Sequence, residues 1–72
     1  MKEQIADEAV SLLFPQAAMI FGRIKPSEVG LTNPFVAKFF LDPSAGGRLI
    51  AEIDGCDRQL IWSQATGQWR DL

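Results

Sequence analysis

Histidine and tyrosine are both absent from the 72 residues of this chain. Without histidine there can be no Ser-His or Cys-His nucleophile pair, no imidazole general base and no histidine-ligated zinc. The remaining residues form no motif that is typical of a catalytic centre. We therefore expect no catalytic residues and no cofactor, and we predict that the protein is not an enzyme.

Cysteine is nearly absent as well, since Cys56 is the only one in the chain. A single cysteine cannot form an internal disulfide, so a reducing compartment such as the cytoplasm suits the protein. Asp54 and Asp57 flank the thiol, whereas a reactive thiolate needs neighbouring positive charge, so we expect no reactive cysteine here. Gly55 suits the positive φ of a two-residue turn with Gly55 and Cys56 at its centre. We interpret this stretch as a hairpin tip.

A metal site at this tip is not predicted. Glu52, Asp54 and Asp57 could offer carboxylate ligands to a hard cation, but their spacing matches no EF-hand loop. Acidic residues are also ordinary in turns.

Runs of like charge and long apolar runs are missing too. Seven basic and nine acidic residues are scattered evenly and give a net charge of −2, which argues against nucleic-acid and membrane-surface partners. The longest uncharged run covers 14 residues, Ala9–Gly22, and contains Pro15, whereas a membrane-spanning helix needs about 20 apolar residues. The acidic N-terminal segment lacks the order of a signal peptide. We expect a cytoplasmic protein.

What the sequence does contain is a high share of apolar residues, 47%, in a chain just large enough for one domain, residues 1–72. In so small a domain many side chains must stay near the surface. Some apolar surface is therefore expected to remain for a partner.

The N-terminal part of the chain has helical periodicity. Ile5, Ala9, Leu12 and Leu13 follow the i, i+4, i+7, i+8 pattern, which predicts a helix over about residues 2–13 that Pro15 ends. Residues 15–24 fit either a continued helix or a strand. Gly22 and the Ile-Lys-Pro that follows it favour an edge strand by a small margin.

From residue 34 onward, short β-prone runs alternate with turn-like spacers. The runs are PFVAKFFLD, RLIAEID, RQLIWS and QWRDL. They predict an α+β fold in which an N-terminal helix packs on an antiparallel meander of four to five strands. The alternative is an SH3-like small β-barrel with an N-terminal helix, in which residues 18–24 form the first strand.

Charge favours one register for the first hairpin. If Asp42 lies opposite Arg48, then Phe40 faces Ile50 and Lys38 faces Glu52, so that both charged pairs are of opposite sign. A slip of one residue loses those pairs. Trp62 and Trp69 flank the next tight turn and are expected to form a cross-strand aromatic pair.

This register defines two faces of the sheet. The inner face is predicted to contain Phe35, Ala37, Phe39, Leu41, Leu49, Ala51, Ile53, Leu60 and Trp62, with the helical stripe of Ile5, Ala9, Leu12 and Leu13 as its cover. On the outer face, apolar residues lie inside a charged rim, and one short helix cannot cover both faces. We predict an interface there that consists of Val36, Lys38, Phe40, Ile50, Glu52, Ile61 and Arg70.

Three functions are consistent with these features. The first is a non-catalytic protein-interaction module that forms a homodimer through the outer face. The second is an accessory or inhibitor protein, of the kind that phages and mobile elements encode, which binds a larger protein partner. The third is a small-molecule binder with a helix–sheet pocket near Trp62 and Trp69.

Overall fold

The N-terminal third of the chain contains one strand and two short helices, and four further strands follow. The computed structural model describes residues 2–72, with the backbone alone at residue 45. The strands are β1 (Glu3–Ile5), β2 (Ala37–Asp42), β3 (Arg48–Ile53), β4 (Arg58–Ser63) and β5 (Gln68–Asp71). The helices are α1 (Asp7–Leu13) and α2 (Pro15–Phe21), and 3₁₀ turns span Pro26–Val29 and Ser44–Gly46.

The five strands form one antiparallel sheet in the order β1-β2-β3-β4-β5. This arrangement confirms the α+β fold and the antiparallel meander. The sheet is open, with β1 and β5 as its edges, so the SH3-like closed barrel is wrong. Residues 18–21, which the barrel would have needed for its first strand, belong to α2 instead.

The predicted helix over residues 2–13 is correct only from Asp7 onward. Residues 3–5 form β1, which pairs with β2 so that Gln4 lies opposite Phe40 and Ile5 opposite Phe39. The backbone groups of β2 on that edge thereby find partners within the sheet. Local helical periodicity could not reveal this pairing, because it depends on a strand more than 30 residues away.

The preference for an edge strand at residues 15–24 is wrong, because residues 15–21 are helical. Phe14 has φ −134° and ψ 64°, outside the helical region, as expected for a residue that precedes proline. Pro15 then takes the first position of α2, where its missing N–H costs nothing. Gly22 follows as the C-cap and donates its backbone N–H to the carbonyl of Ala18.

The α2 helix is fixed on the inner face of the sheet by aromatic packing. The Phe21 ring lies edge-on to those of Phe39 and Trp69, with centroids 5.0 and 5.2 Å away. The indole Nε1 of Trp69 donates a hydrogen bond of 3.0 Å to the carbonyl of Ala17. These contacts require Ala17 and Phe21 to face the sheet together, which the helical i, i+4 spacing provides.

The side chains that cover the inner face differ from the predicted stripe. Val10 and Ala17 are buried in the core, whereas Leu12 is 82% exposed and Leu13 63% exposed. Ile5 and Ala9 are only half-buried. The differences from the prediction are that residues 3–5 belong to β1 and that a second helix, α2, supplies Ala17 and Phe21 to the inner face.

The predicted strand registers are confirmed. Asp42 pairs with Arg48, Phe40 with Ile50 and Lys38 with Glu52. Trp62 pairs with Trp69, with ring centroids 5.5 Å apart. In the part of the chain that the structure describes, no helix has the length and apolar content needed to cross a membrane.

Candidate interaction surface

The outer face of the sheet is organised around one row of side chains that crosses all five strands. Successive register pairs link the row in the order Gln4, Phe40, Ile50, Ile61, Arg70. Three apolar residues thus occupy the centre of the face, and a polar residue lies at each end. The next row on one side runs Lys38, Glu52, Gln59, so the apolar centre has a polar frame.

The apolar centre of this face is already partly covered by the protein itself. Ile50 is 2% exposed although it belongs to the outer face and not to the inner core cluster. Its cross-strand neighbours, Phe40 and Ile61, are half-buried. Val36, which comes just before β2, is 67% exposed. The surface offered to a partner is therefore Val36 and the outer sides of Phe40 and Ile61, with Ile50 beneath them.

Lys2 lies across this row and takes Glu52 as its ionic partner. Its Nζ is 2.9 Å from Glu52 Oε2 and 5.0 Å from the centre of the Phe40 ring. Gln59 Nε2 donates to the same Glu52 oxygen at 2.9 Å. Lys38, directly opposite Glu52 in the register, forms no ion pair within residues 2–72. The predicted register of this oppositely charged pair is confirmed, although Lys38 and Glu52 form no ion pair.

Asp42 is likewise occupied by a neighbour in its own loop. Its carboxylate accepts hydrogen bonds from the backbone N–H of Ser44 (3.0 Å) and from the Ser44 hydroxyl. These bonds, the hydroxyl bond first, lower the pKa of Asp42 below its usual value. Arg48 opposite it has no ion-pair partner among the described residues. Lys38 and Arg48 of the outer face thus form no ion pair among the described residues, although the charge of Arg48 also helps to lower the pKa of Asp42.

The outer face consequently has the opposite charge to the rest of the protein. Register and side-chain contacts place four basic and three acidic residues on it, an excess of one positive charge: Lys2, Lys38, Arg48, Arg70, Asp42, Glu52 and Asp54, whose backbone N–H donates to the carbonyl of Val36. The whole chain has a net charge of −2. The residues outside this face therefore carry a net charge of −3, so the two sides of the protein differ in the sign of their charge.

The structure places the seven predicted interface residues on one side of the molecule. Six of them occupy strand positions that share the outer face, and Val36 directly precedes this face. Ile50 differs from the other six residues because its side chain is too deeply buried to contact a partner directly.

Sequence reasoning missed a second exposed apolar surface, on the helices. Leu12, Leu13 and Met19 are all exposed. The signal that could have revealed the exposed leucines is Val10, an apolar residue that the predicted stripe left out and that α1 buries in the core.

The hairpin tip has no catalytic arrangement of side chains. Ile53 pairs with Arg58, so residues 54–57 form a four-residue loop and not the predicted two-residue turn. Gly55 does adopt a positive φ, 90°. Cys56 is half-buried, packs against the core and lies with its Sγ 3.9 Å from the carbonyl oxygen of Val29. Within residues 2–72, no three Asp, Glu or Cys side chains converge as a metal site requires.

A small groove lies beside Trp69, between α2 and the strands β4 and β5. Its volume is about 290 Å³, and its apolar lining consists of Ile20, Ile24, Val29, Leu60 and Trp69. At its rim, Arg58 forms an ion pair with Asp71 and also donates to the carbonyl of Glu28. Trp62, the other predicted pocket residue, does not line it.

Nothing matches this chain in comparisons with protein-family models, curated proteins and solved structures.

Proposed function

We propose that this protein is a non-catalytic protein-interaction module that self-associates through the outer face of its sheet. The observation that carries the proposal is the apolar row of Phe40, Ile50 and Ile61 inside a polar frame that includes the basic residues Lys38 and Arg48, which form no ion pairs among the described residues. An apolar centre with a polar rim is the usual composition of a protein interface. Basic side chains beside this apolar row favour a partner surface that is acidic.

The test is the solution mass measured by light scattering or sedimentation over protein concentrations from about 1 μM to about 1 mM, which covers weak and moderate affinities. The wild-type mass is expected to rise with concentration. The double variant Val36→Glu/Arg70→Glu changes two exposed positions of the outer face and should remain monomeric. The matched control is Lys25→Glu, which reverses a charge away from this face and should associate as the wild type does.

Two results would contradict self-association through this face. One is a wild-type protein that stays monomeric over the whole range, and the other is a Val36→Glu/Arg70→Glu variant that still associates normally. A monomeric wild type that forms a stoichiometric complex with a larger protein, lost in the same variant, would instead support an accessory or inhibitor protein.

The second candidate function is small-molecule binding in the groove beside Trp69. Its support is the combination of an apolar floor with the charged Arg58–Asp71 rim. The volume of about 290 Å³ lies at the lower limit of ligand pockets, which commonly have about 300–1,000 Å³. A thermal-shift screen combined with tryptophan fluorescence tests this function. A binder should raise the melting temperature of the wild type but not that of Leu60→Phe, which narrows the groove; no shift with any compound would count against it.

A further inference from the structure

The exposed side of α1 and the outer face of the sheet lie on opposite sides of the molecule. The α1 and α2 helices cover the inner face, where Val10 and Ala17 are buried in the core. At 100° per residue, Glu8 and Leu12 lie about 160° around α1 from Val10. They therefore point away from the sheet, whereas Phe40 and Ile61 point to solvent on its other side.

The exposed side of α1 is both acidic and apolar. Asp7, Glu8, Ser11 and Leu12 are all exposed and are neighbours on one arc of the helix. Leu12 is 82% exposed, the highest value among the large apolar residues that the structure describes, whereas the exposed Leu13 lies on the other flank of α1, about 60° around the helix from Val10. Asp7 and Glu8 form no ion pairs in the described part of the chain.

This surface complements the outer face of the sheet, but the outer face does not complement itself. Two outer faces stacked on each other would bring two positively charged surfaces together, which opposes association. The α1 surface instead offers two carboxylates to Lys38, Arg48 and Arg70, and Leu12 to Phe40 and Ile61. A helix on the outer face would also repeat the helix-on-sheet packing of the inner face.

We infer that the protein associates head to tail, with the α1 surface of one copy, Asp7, Glu8, Ser11 and Leu12, docked on the outer sheet face of the next. This inference rests on the proposed function and specifies the surface that the outer face binds. Such a contact joins two different surfaces, so each added copy leaves one surface of each kind free. The assembly grows into rings or chains and does not stop at a two-fold dimer.

A mixing experiment with two variants tests this geometry. Leu12→Gln/Leu13→Gln removes the apolar part of the α1 surface without changing charge, and Val36→Glu/Arg70→Glu disables the outer face. Each variant alone is expected to be monomeric, because it retains only one of the two surfaces. An equimolar mixture retains one intact contact and should give a complex of twice the monomer mass. Circular dichroism and tryptophan fluorescence establish that each variant is folded.

The possible outcomes separate this inference from the proposed function. If Leu12→Gln/Leu13→Gln associates as strongly as the wild type, the head-to-tail contact is wrong. The proposal that the protein self-associates through its outer face is then still supported. If the two monomeric variants fail to combine, the head-to-tail contact is also wrong. If Val36→Glu/Arg70→Glu associates normally, or the wild type stays monomeric, both proposals fail.

Discussion

Ile50 combines an outward-facing position with near-complete burial. It lies on the solvent side of a central strand, and its cross-strand neighbours Phe40 and Ile61 shield it on both sides. Lys2 adds its aliphatic chain across Phe40 on the way to Glu52. The protein thus has a small apolar cluster on the outer face that stabilises the isolated molecule as well as shaping its surface.

Replacing Ile50 should therefore destabilise the protein as a core substitution does. We expect Ile50→Ala to lower the free energy of unfolding by about 2–5 kcal/mol, because it removes buried methyl groups and leaves a cavity. Denaturant unfolding followed by tryptophan fluorescence measures this change. The control is Val36→Ala at an exposed position of the same side, which should change stability by less than about 0.5 kcal/mol. Equal effects for the two variants would show that Ile50 is not buried in solution.

The hydrogen bonds of Ser44 to Asp42 predict a specific pH dependence. Because the folded state lowers the pKa of Asp42, the stabilisation is fully present above the unfolded value of 3.8 and is lost as the pH falls through the lower folded value. Asp42→Asn cannot titrate, so the stability advantage of the wild type over this variant should shrink between neutral and strongly acidic pH. Unfolding midpoints measured along a pH series test this, and Ser44→Ala should weaken the dependence. An advantage that stays constant with pH would contradict the prediction.

Among the elements, the helical pair is the part that the sequence described least well. Its position is set by the one-residue break at Phe14 and by the fit of Ala17 against the sheet, where the Ala17 carbonyl accepts the Trp69 indole hydrogen bond. A larger residue would not fit at position 17, because its side chain is completely buried. The exposed Met19 on the same helix faces away from this contact.

Two substitutions in α2 test its helical phase. Ala17→Leu is expected to reduce stability by about 1–3 kcal/mol through overpacking. Met19→Lys should have an effect of less than about 0.5 kcal/mol, because the side chain is exposed. Chemical denaturation at low protein concentration measures both. In an edge strand, positions 17, 19 and 21 would share a face, so equal sensitivity at 17 and 19 would contradict a helix here.

The strands were predicted far better than the helices. The physical reason is that most paired strands are neighbours in the sequence and are joined by short loops. Short loops of five and four residues join β2 to β3 and β4 to β5, and a shift in register by one residue would mix the faces and separate the charged pairs. The Asp42–Arg48 register and the Trp62–Trp69 pair could therefore be worked out from residues alone. The β1 strand could not, because its pairing with β2 joins distant parts of the chain.

At the scale of the whole molecule, the decisive property is the separation of charge. The ion pairs that form, Lys2 with Glu52 and Arg58 with Asp71, leave Lys38, Arg48 and Arg70 unpaired in the described residues. The outer face is therefore positive, while Asp7 and Glu8 lie on the helical side. This distribution favours association in which the positive outer face of one copy meets the acidic α1 surface of another.

The effect of salt on association should distinguish the head-to-tail contact from a contact between two outer faces. Raising the sodium chloride concentration from about 0.01 M to about 1 M shortens the Debye length from about 30 Å to about 3 Å. A head-to-tail contact between the positive outer face and the acidic α1 surface should weaken, seen as a lower average mass in sedimentation. A contact between two positive outer faces would instead strengthen, so a mass that rises with salt would contradict the head-to-tail arrangement.

The sequence by itself determined the α+β class, the strand registers and the identity of the two sheet faces, because alternation and neighbouring turns are local properties. The interface residues could be assigned to one face for the same reason. Only the tertiary structure decided that residues 3–5 join the sheet, that Val10 and Ala17 cover the core and that Leu12 and Leu13 face solvent. It also decided which charged side chains form ion pairs. Lys2 reaches Glu52 from the position just before β1, and no local sequence pattern specifies where β1 joins the sheet.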